Sequence, residues 1–418
     1  MPWRFLHFFW ELLAKKARVC YNKENLLHIL YGGDFMKKLS WPTARACLTV
    51  DLSRLVANYR YLAARLAREG TEPIAVVKAN AYGHGDVAVA AALYGAGCRR
   101  FAVATLAEAL SLRAALPPCE ILTLGYTPPE CARTAAEGGI TLTVGELSYA
   151  KTISRLLGAR ELSVHIKLNS GMNRTGLRLA PESFDRSMAA VCEILRLPSL
   201  RVRGIYSHLA CADIPASCEN TRAIRSFFAA RTALSRAGIA LPMHLSASAA
   251  VLSGALPPLP LARLGLSLYG YDPMEKDKYL LPIARLSSPI VQIYPIARGE
   301  YVGYGAAYRA ARREVVGILP IGYADGLFRA SANGGAVWVG EHRAPFIGRI
   351  SMDSAAISLR GILRADCKEA VIFGKTPADL PLLARAAGTI TYELLAGLGQ
   401  RIDRKYEYGN AIGDHCTE

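Results

Sequence analysis

With 418 residues, 52% of them hydrophobic and 20% charged, the chain is long enough for two domains or for one barrel with an appendage. No uninterrupted apolar run reaches the ~18 residues a membrane helix needs, so a membrane partner is not expected. The net charge of +16 raises nucleic acid as a partner, but the basic residues are scattered singly with no aromatic-interleaved stripe, and a solvated basic surface is the better reading. The ten cysteines also fall singly, without C-x-x-C or zinc-ligand spacing, which argues for reduced thiols in the cytosol and against a metal centre.

Residues 1–43 read as an N-terminal extension. Trp3–Leu13 is aromatic and suits an amphipathic helix, followed by Lys15, Lys16 and Arg18. Arg4, His7 and Glu11 interrupt the apolar core a signal peptide requires, and a membrane-surface helix is the alternative. Gly32-Gly33-Asp34-Phe35-Met36 can be encoded by GGA-GGN-GAY-TTY-ATG, which holds a ribosome-binding sequence at suitable spacing before ATG. Translation is therefore expected to start at Met36, leaving the extension outside the native product.

From Arg45 the pattern becomes regular. Ala46–Val50 reads as a strand and Leu52–Glu69 as an amphipathic helix. Ile74–Val77 is a short buried strand, and Lys78 follows at its end. Then come a small-residue turn, Tyr82, Gly83 and Gly85, with Asp86 as N-cap of an Ala-rich helix to Gly95. Strands centred on Val76, Val103, Leu122, Leu142, Ile166, Ile205, Leu245 and Leu264 alternate with helices such as 105–116, 129–137, 146–157, 184–195 and 217–237. Eight such units predict an α/β fold, a parallel (β/α)8 TIM-like barrel over residues 44–278. Residues 272–281 read as a linker. After it, strand-like segments at 284–296, 314–321, 336–339, 344–350, 354–358 and 370–373, with one helix near 379–387, predict a mainly-β C-terminal domain over 279–418.

An amine at the C-terminal end of a parallel strand points to where α/β folds place their chemistry. Beside a glycine-rich helix N-terminus suited to phosphate, Lys78 suggests a Schiff base to pyridoxal 5'-phosphate. An arbitrary strand-end lysine would simply be solvated; the neighbouring Tyr82, Gly83 and Gly85 favour the functional reading. Lys167 and Arg174 flank another Gly-rich strand-end turn, and Ser248 stands at a helix start, where an ordinary N-cap is the plain alternative. His208 closes the strand around Ile205; spacing alone does not separate it from a structural histidine.

The segment A-V-V-K-A-N-A-Y-G-H-G, at residues 75–85, resembles the cofactor-binding signature of the alanine racemases, and the resemblance extends over roughly Arg45–Gly413. It implies a homodimeric enzyme with shared active sites that binds pyridoxal 5'-phosphate and racemises a small-molecule amino acid, supplying D-alanine for peptidoglycan. By this resemblance Lys78 and Tyr304 are the two bases, one for each face of Cα, with Tyr304 reaching the site of the other subunit. The cofactor contacts implied are Lys78, Tyr82, Arg174, His208, Ser248, Arg263, Gly265, Leu266 and Tyr392. Arg263 would face the pyridine nitrogen, and His208 would connect it to the catalytic tyrosine. Arg174, Tyr323, Met352 and Asp353 would meet substrate, and Asp213, Arg329, Arg349 and Ile390, with Tyr323, would line an access corridor. Lys167 falls where some members carry a carbamylated lysine that holds the arginine at Arg174. Asn169 departs from the aspartate often found there, which changes the local charge balance.

Other readings fit less well. A serine or broad-specificity racemase would use the same scaffold, but Tyr392, in place of an asparagine, makes a smaller and more apolar pocket. A related decarboxylase would not need Tyr304. A cofactor-binding homeostasis protein would be the barrel alone. Nucleic-acid binding rests on net charge only.

Overall fold

The structure, a computed structural model, describes residues 45–409 apart from 215, 255, 364 and 365. The extension, the expected start at Met36 and the last residues of the chain lie outside the described residues.

The first strand, β1 (Cys47–Asp51), leads straight into the helix Leu52–Ala67. Asp51 caps that helix, accepting from Arg54 N at 3.0 Å. Leu52, Leu55, Tyr59, Leu62 and Leu66 recur at the three- and four-residue spacing that makes one buried face. Parallel strands β2 (Glu72–Val76), β3 (Arg100–Val103), β4 (Glu120–Thr123), β5 (Leu142–Val144), β6 (Leu162–Asn169), β8 (Leu200–Tyr206), β9 (Met243–His244) and β10 (Leu261–Leu264) follow, with the short β7 (Leu177–Arg178) beside β6.

These strands form two arcs, β10-β2-β3-β4 and β5-β6-β8-β9. The arcs are joined on one side by the parallel bridge between Leu122 and Thr141, and on the other by Arg263 N donating to Ser246 O at 3.0 Å. The ring is therefore an eight-stranded barrel, as the alternation of short apolar strands and helices predicts. Phe101, Ile121, Leu142, Ile166 and Leu264 alternate along the strands with the inward-facing Thr143, His165, Lys167 and Arg263, and are buried on the barrel's outer face.

Strands β11 (Ala284–Pro289), β12 (Gln292–Ile296), β13 (Tyr301–Val302), β14 (Tyr308–Arg309), β15 (Glu314–Leu319), β16 (Ala336–Val339), β17 (His342–Pro345), β18 (Ala355–Ser358), β19 (Glu369–Phe373) and β20 (Asp403–Glu407) build the second part. Six strands form one sheet in the order β17-β16-β19-β11-β1-β20, and β12-β15-β18 form another.

Several details differ from the sequence reading. β1 falls in the chain-order range 44–278, yet it pairs antiparallel with β11 and parallel with β20 in the second sheet. The segment 284–296 is two strands and not one, because Ile290 and Val291 turn the chain from one sheet to the other. Asp86 is the first residue of its helix and Gly85 holds the cap position; the Asp86 amide is already engaged by Asn80 Oδ1 at 3.0 Å.

Candidate active site

The strand ends converge on a cavity of about 1110 Å³ at the C-terminal mouth of the barrel. Lys78, Tyr82, Lys167, Arg174, His208, Ser248, Arg263, Gly265, Leu266 and Tyr392 all line it, and Asp213 and Ile390 stand at its edge. Tyr304, Tyr323, Arg329, Arg349, Met352 and Asp353 do not line it. They belong to the second domain, where Tyr304 is 72% exposed, Met352 53% and Tyr323 44%. Close backbone approaches draw most of this second group together: Tyr323 N donates to Ser351 O at 3.0 Å, and a Cβ on Gly303 would lie 3.2 Å from Arg349 N.

Lys78 stands two residues past the end of β2 and is followed by an uncommon backbone. Ala79, Asn80, Ala81 and Tyr82 all have φ between 52° and 54°, a single left-handed turn. For L-residues this costs roughly 1–2 kcal/mol each, Asn being the residue that tolerates it best. The turn is closed by Ala81 N to Val77 O and Gly83 N to Ala79 O, both 2.9 Å. It is clamped where a Cβ on Gly83 would sit 2.1 Å from Leu395 O. The Tyr82 ring packs on Tyr269 with centroids 4.8 Å apart, so its hydroxyl is carried toward Gly265.

There the chain offers an anion cradle. Ser248 Oγ accepts from Gly265 N at 2.9 Å and from Ser267 N at 3.3 Å, and a Cβ on Gly265 would lie 2.7 Å from Tyr82 Oη. Amides, two hydroxyls and a bare glycine backbone converge, which fits a phosphate. Opposite the cradle stand four basic side chains, and burial together with their mutual repulsion lowers the pKa of both amines. Burial, then Arg174 and Arg263, lower the Lys78 pKa, with Glu108 opposing. Lys167 is brought down to about 8 by burial, then by Arg174, Arg263 and Lys78. An aldehyde carrying a phosphate therefore fits the donor set: an amine whose pKa burial and neighbouring cations lower, and a phosphate seat beyond it.

Arg263 is buried and lies at the centre of a hydrogen-bond chain. Its Nη1 is 2.6 Å from His244 Nδ1, its Nη2 is 3.2 Å from His208 Nδ1, and His244 Nε2 is 3.0 Å from His165 Nδ1. The Tyr206 ring stacks on His244 at 4.8 Å, beneath the Arg263 and Lys167 cations. Burial foremost, then Arg263, brings His208 down to about 3 and His165 to about 4. His208 and His244 are neutral acceptors toward the guanidinium, and His165 pairs with His244. His165, His244 and Tyr206 were missed from sequence; each stands inside a strand, and only the pairing of β6, β8 and β9 makes them neighbours. Asn169 replaces a carboxylate without losing the turn, since its Oδ1 accepts from Gly171 N at 3.1 Å and Asn173 N at 3.0 Å.

Residues 50–273 match the family profile described as alanine racemase, N-terminal domain, and residues 283–406 that described as alanine racemase, C-terminal domain. The alanine racemase of Methylobacterium nodulans is 36% identical over 373 residues, covering 88% of this chain and 97% of that protein. That of Clostridium tetani is 33% identical over 379 residues, 87% of this chain and 96% of that one. Among solved structures, alanine racemase from Streptomyces coelicolor superposes with a TM-score of 0.80 at 32% identity, covering 87% of this chain and 98% of that one. The Bartonella henselae enzyme, solved with covalently bound pyridoxal phosphate, gives 0.78 at 30% identity over 87% of this chain and all of that one, 100%.

Proposed function

Because the chain belongs to the alanine racemase family, its reaction is the interconversion of L- and D-alanine, and we propose that it works with pyridoxal 5'-phosphate at the barrel mouth and with a second copy of itself completing each site. When bound, the cofactor supplies an electron sink that makes the substrate Cα–H acidic. Lys78 would hold it, with Tyr82, Ser248, the Gly265 and Leu266 backbone and Tyr392 around its phosphate, and with Arg174, His208 and Arg263 along its ring.

Arg263 stays protonated next to three neutral histidines, with no carboxylate among its hydrogen-bond partners. Placed at the ring nitrogen, it would weaken the sink, shorten the carbanion's life and so suppress transamination and decarboxylation. Racemisation needs one proton removed from one face of Cα and another delivered to the opposite face. Lys78 Nζ serves the D-isomer's α-proton, and the depression of its pKa by burial and two arginines favours the free amine. The Tyr304 hydroxyl of a second copy serves the L-isomer's. Arg174 orients the substrate carboxylate, and Lys167, as its carbamate, would brace Arg174. Tyr323, Met352 and Asp353 would close over the substrate, with Asp213, Arg329, Arg349 and Ile390 along the access corridor.

The observation that carries this reading is the division of the site. The cavity is lined by Lys78 and the Ser248–Gly265 cradle, while Tyr301, Tyr304, Tyr323 and Met352 stand exposed on the second domain. An exposed aromatic patch of this kind suits contact with another protein surface. No helix among the described residues is long and apolar enough to cross a membrane. Free thiols at Cys47, Cys98, Cys119 and Cys211 favour the cytoplasm, where D-alanine would be supplied for peptidoglycan. The relatives are alanine racemases, so a serine or broad-specificity enzyme is not favoured.

The test is borohydride reduction of the yellow holoenzyme followed by peptide mapping, alongside racemisation assays on alanine and serine. The pyridoxyl group is expected on Lys78 and alanine as the faster substrate. A pyridoxyl group on a different lysine would overturn the assignment.

A further inference from the structure

Glu108 is the third residue of the helix Leu106–Ala115, whose N-cap is Thr105. It forms half of a capping box: Glu108 N donates to Thr105 Oγ1 at 3.2 Å and Thr105 N donates to Glu108 Oε2 at 3.1 Å. A capping box occupies one carboxylate oxygen and concerns one helix. Here Oε2 also accepts from Ala104 N at 2.7 Å, and Oε1 crosses to another strand end, accepting from Ala79 N at 2.7 Å. Ala79 directly follows Lys78 and opens the left-handed turn. The carboxylate thus binds the loop after β2 to the loop after β3, at the residue where the backbone enters its least favourable conformation.

We propose that Glu108 is a positioning residue for Lys78, anchoring the left-handed turn that aims the lysine into the cavity and setting a negative charge against the cations around it. This rests on the reading of Lys78 as the reactive amine. The charged groups facing Lys78 come from several elements: Arg174 after β6, Arg263 on β10, Lys167 on β6 and Glu108 itself, with the His208 imidazole nearby and Asp86 beside Glu108. Among the groups acting on Lys78, Glu108 is the one that favours the ammonium form. The carboxylate therefore limits how far burial and the two arginines lower the lysine. Too free an amine would return its proton to Cα poorly, and one too fully protonated would not remove it.

Two substitutions separate this role from capping. Glu108→Gln removes the charge and leaves one acceptor oxygen. Thr105→Ala breaks the capping box and leaves the carboxylate facing Ala79. In the full-length chain freed of bound aldehyde, brief acetylation with mass-spectrometric readout reports the free-amine fraction of Lys78. The ratio of labelling at pH 7.5 to that on the alkaline plateau cancels any change in exposure. In Glu108→Gln this ratio is expected to rise roughly threefold, as the charge that favours the ammonium is lost. In Thr105→Ala it is expected to stay at the wild-type value while the melting temperature falls. An unchanged ratio in Glu108→Gln, or an equal rise in both variants, would overturn the proposal. Trapping of pyridoxal phosphate on another lysine would instead sink the reading of Lys78, and the labelling ratio would still report whether Glu108 acts on it.

Discussion

Arg263 Nη1 lies 2.6 Å from His244 Nδ1. A guanidinium only donates, so this nitrogen accepts, and the single proton of the imidazole sits on Nε2. That proton points at His165 Nδ1, 3.0 Å away, which must accept in turn. One arginine therefore sets the tautomers of two histidines, and neither can be protonated without losing a hydrogen bond.

Stability should consequently fall on the acid side of neutrality. Folding depresses His165 to about 4 and His208 to about 3, and burial, then Arg263, hold His244 well below its usual value. Unfolded, each titrates near 6.5. The unfolded state thus takes up protons first as pH drops below about 6.5, and stability is lost from there down to the folded pKa values. His165 and His208 each contribute about 1–2 kcal/mol of loss by pH 5, and His244 adds to it in the same direction. Urea midpoints at pH 7.5 and pH 5 measure it, and His165→Gln should flatten the dependence.

Lys78→Ala and Tyr304→Phe, each inactive alone, should rescue one another when mixed. A mixed dimer holds one site with both lesions and one with neither. Random exchange makes about half of the dimers mixed, so activity recovers to roughly a quarter of wild type, by counting independent sites in a two-fold dimer. Tyr304 is 72% exposed in the single chain, so its change to Phe should leave the melting temperature of the protomer nearly unmoved. Exchange without recovered activity would mean that each site is built within one chain.

Gly265→Ala should damage the phosphate seat. Its Cβ would come within 2.7 Å of Tyr82 Oη and 3.7 Å of Ser248 Oγ. Both neighbours are buried and have little room to yield, so overpacking of about 1–3 kcal/mol is expected. Absorbance titration should show affinity for pyridoxal 5'-phosphate weakened roughly tenfold or more, an effect of that same size.

Lys167 offers a chemical test. Its pKa of about 8 leaves part of the amine free at neutrality. The free nitrogen can bond to the carbon of carbon dioxide, releasing a proton and giving a carbamate, an anion beside Arg174. Bicarbonate in the buffer should raise kcat, and Lys167→Met should abolish that response. An identical response in the variant would remove Lys167 from the account.

The barrel was readable from its alternating elements, and several mouth residues from contiguous local motifs: Lys78 before A-N-A-Y-G, Arg174 in a Gly-rich turn, Ser248 at a helix start; Arg263, Gly265, Leu266 and Tyr392 came only from the family resemblance. Left-handed backbone at Ala79 and Ala81 was not readable, since alanine carries no preference for it; the turn is bounded by close approaches of Leu395 to Gly83 and of Tyr406 to Gly85, which only the folded chain brings about. His165 and His244 escaped notice because they are 79 residues apart and meet only across paired strands. β20 and the helix Thr391–Ala396 were also missed: the strand Asp403–Glu407 is polar and mostly exposed, without the alternation that marks a half-buried strand.

The placement of β1 bears on how the polypeptide can be divided. A fragment beginning after the linker would carry β11 and β20 with the space between them vacant, presenting two unsatisfied edges where the intact chain has an interior strand. Such edges recruit strands from other molecules. The C-terminal half made by itself is expected to aggregate, and adding back a peptide spanning β1 should restore its solubility. During synthesis the same arithmetic holds: Cys47–Asp51 emerges first yet waits for partners more than two hundred residues away, so the last sheet to assemble depends on the first strand made.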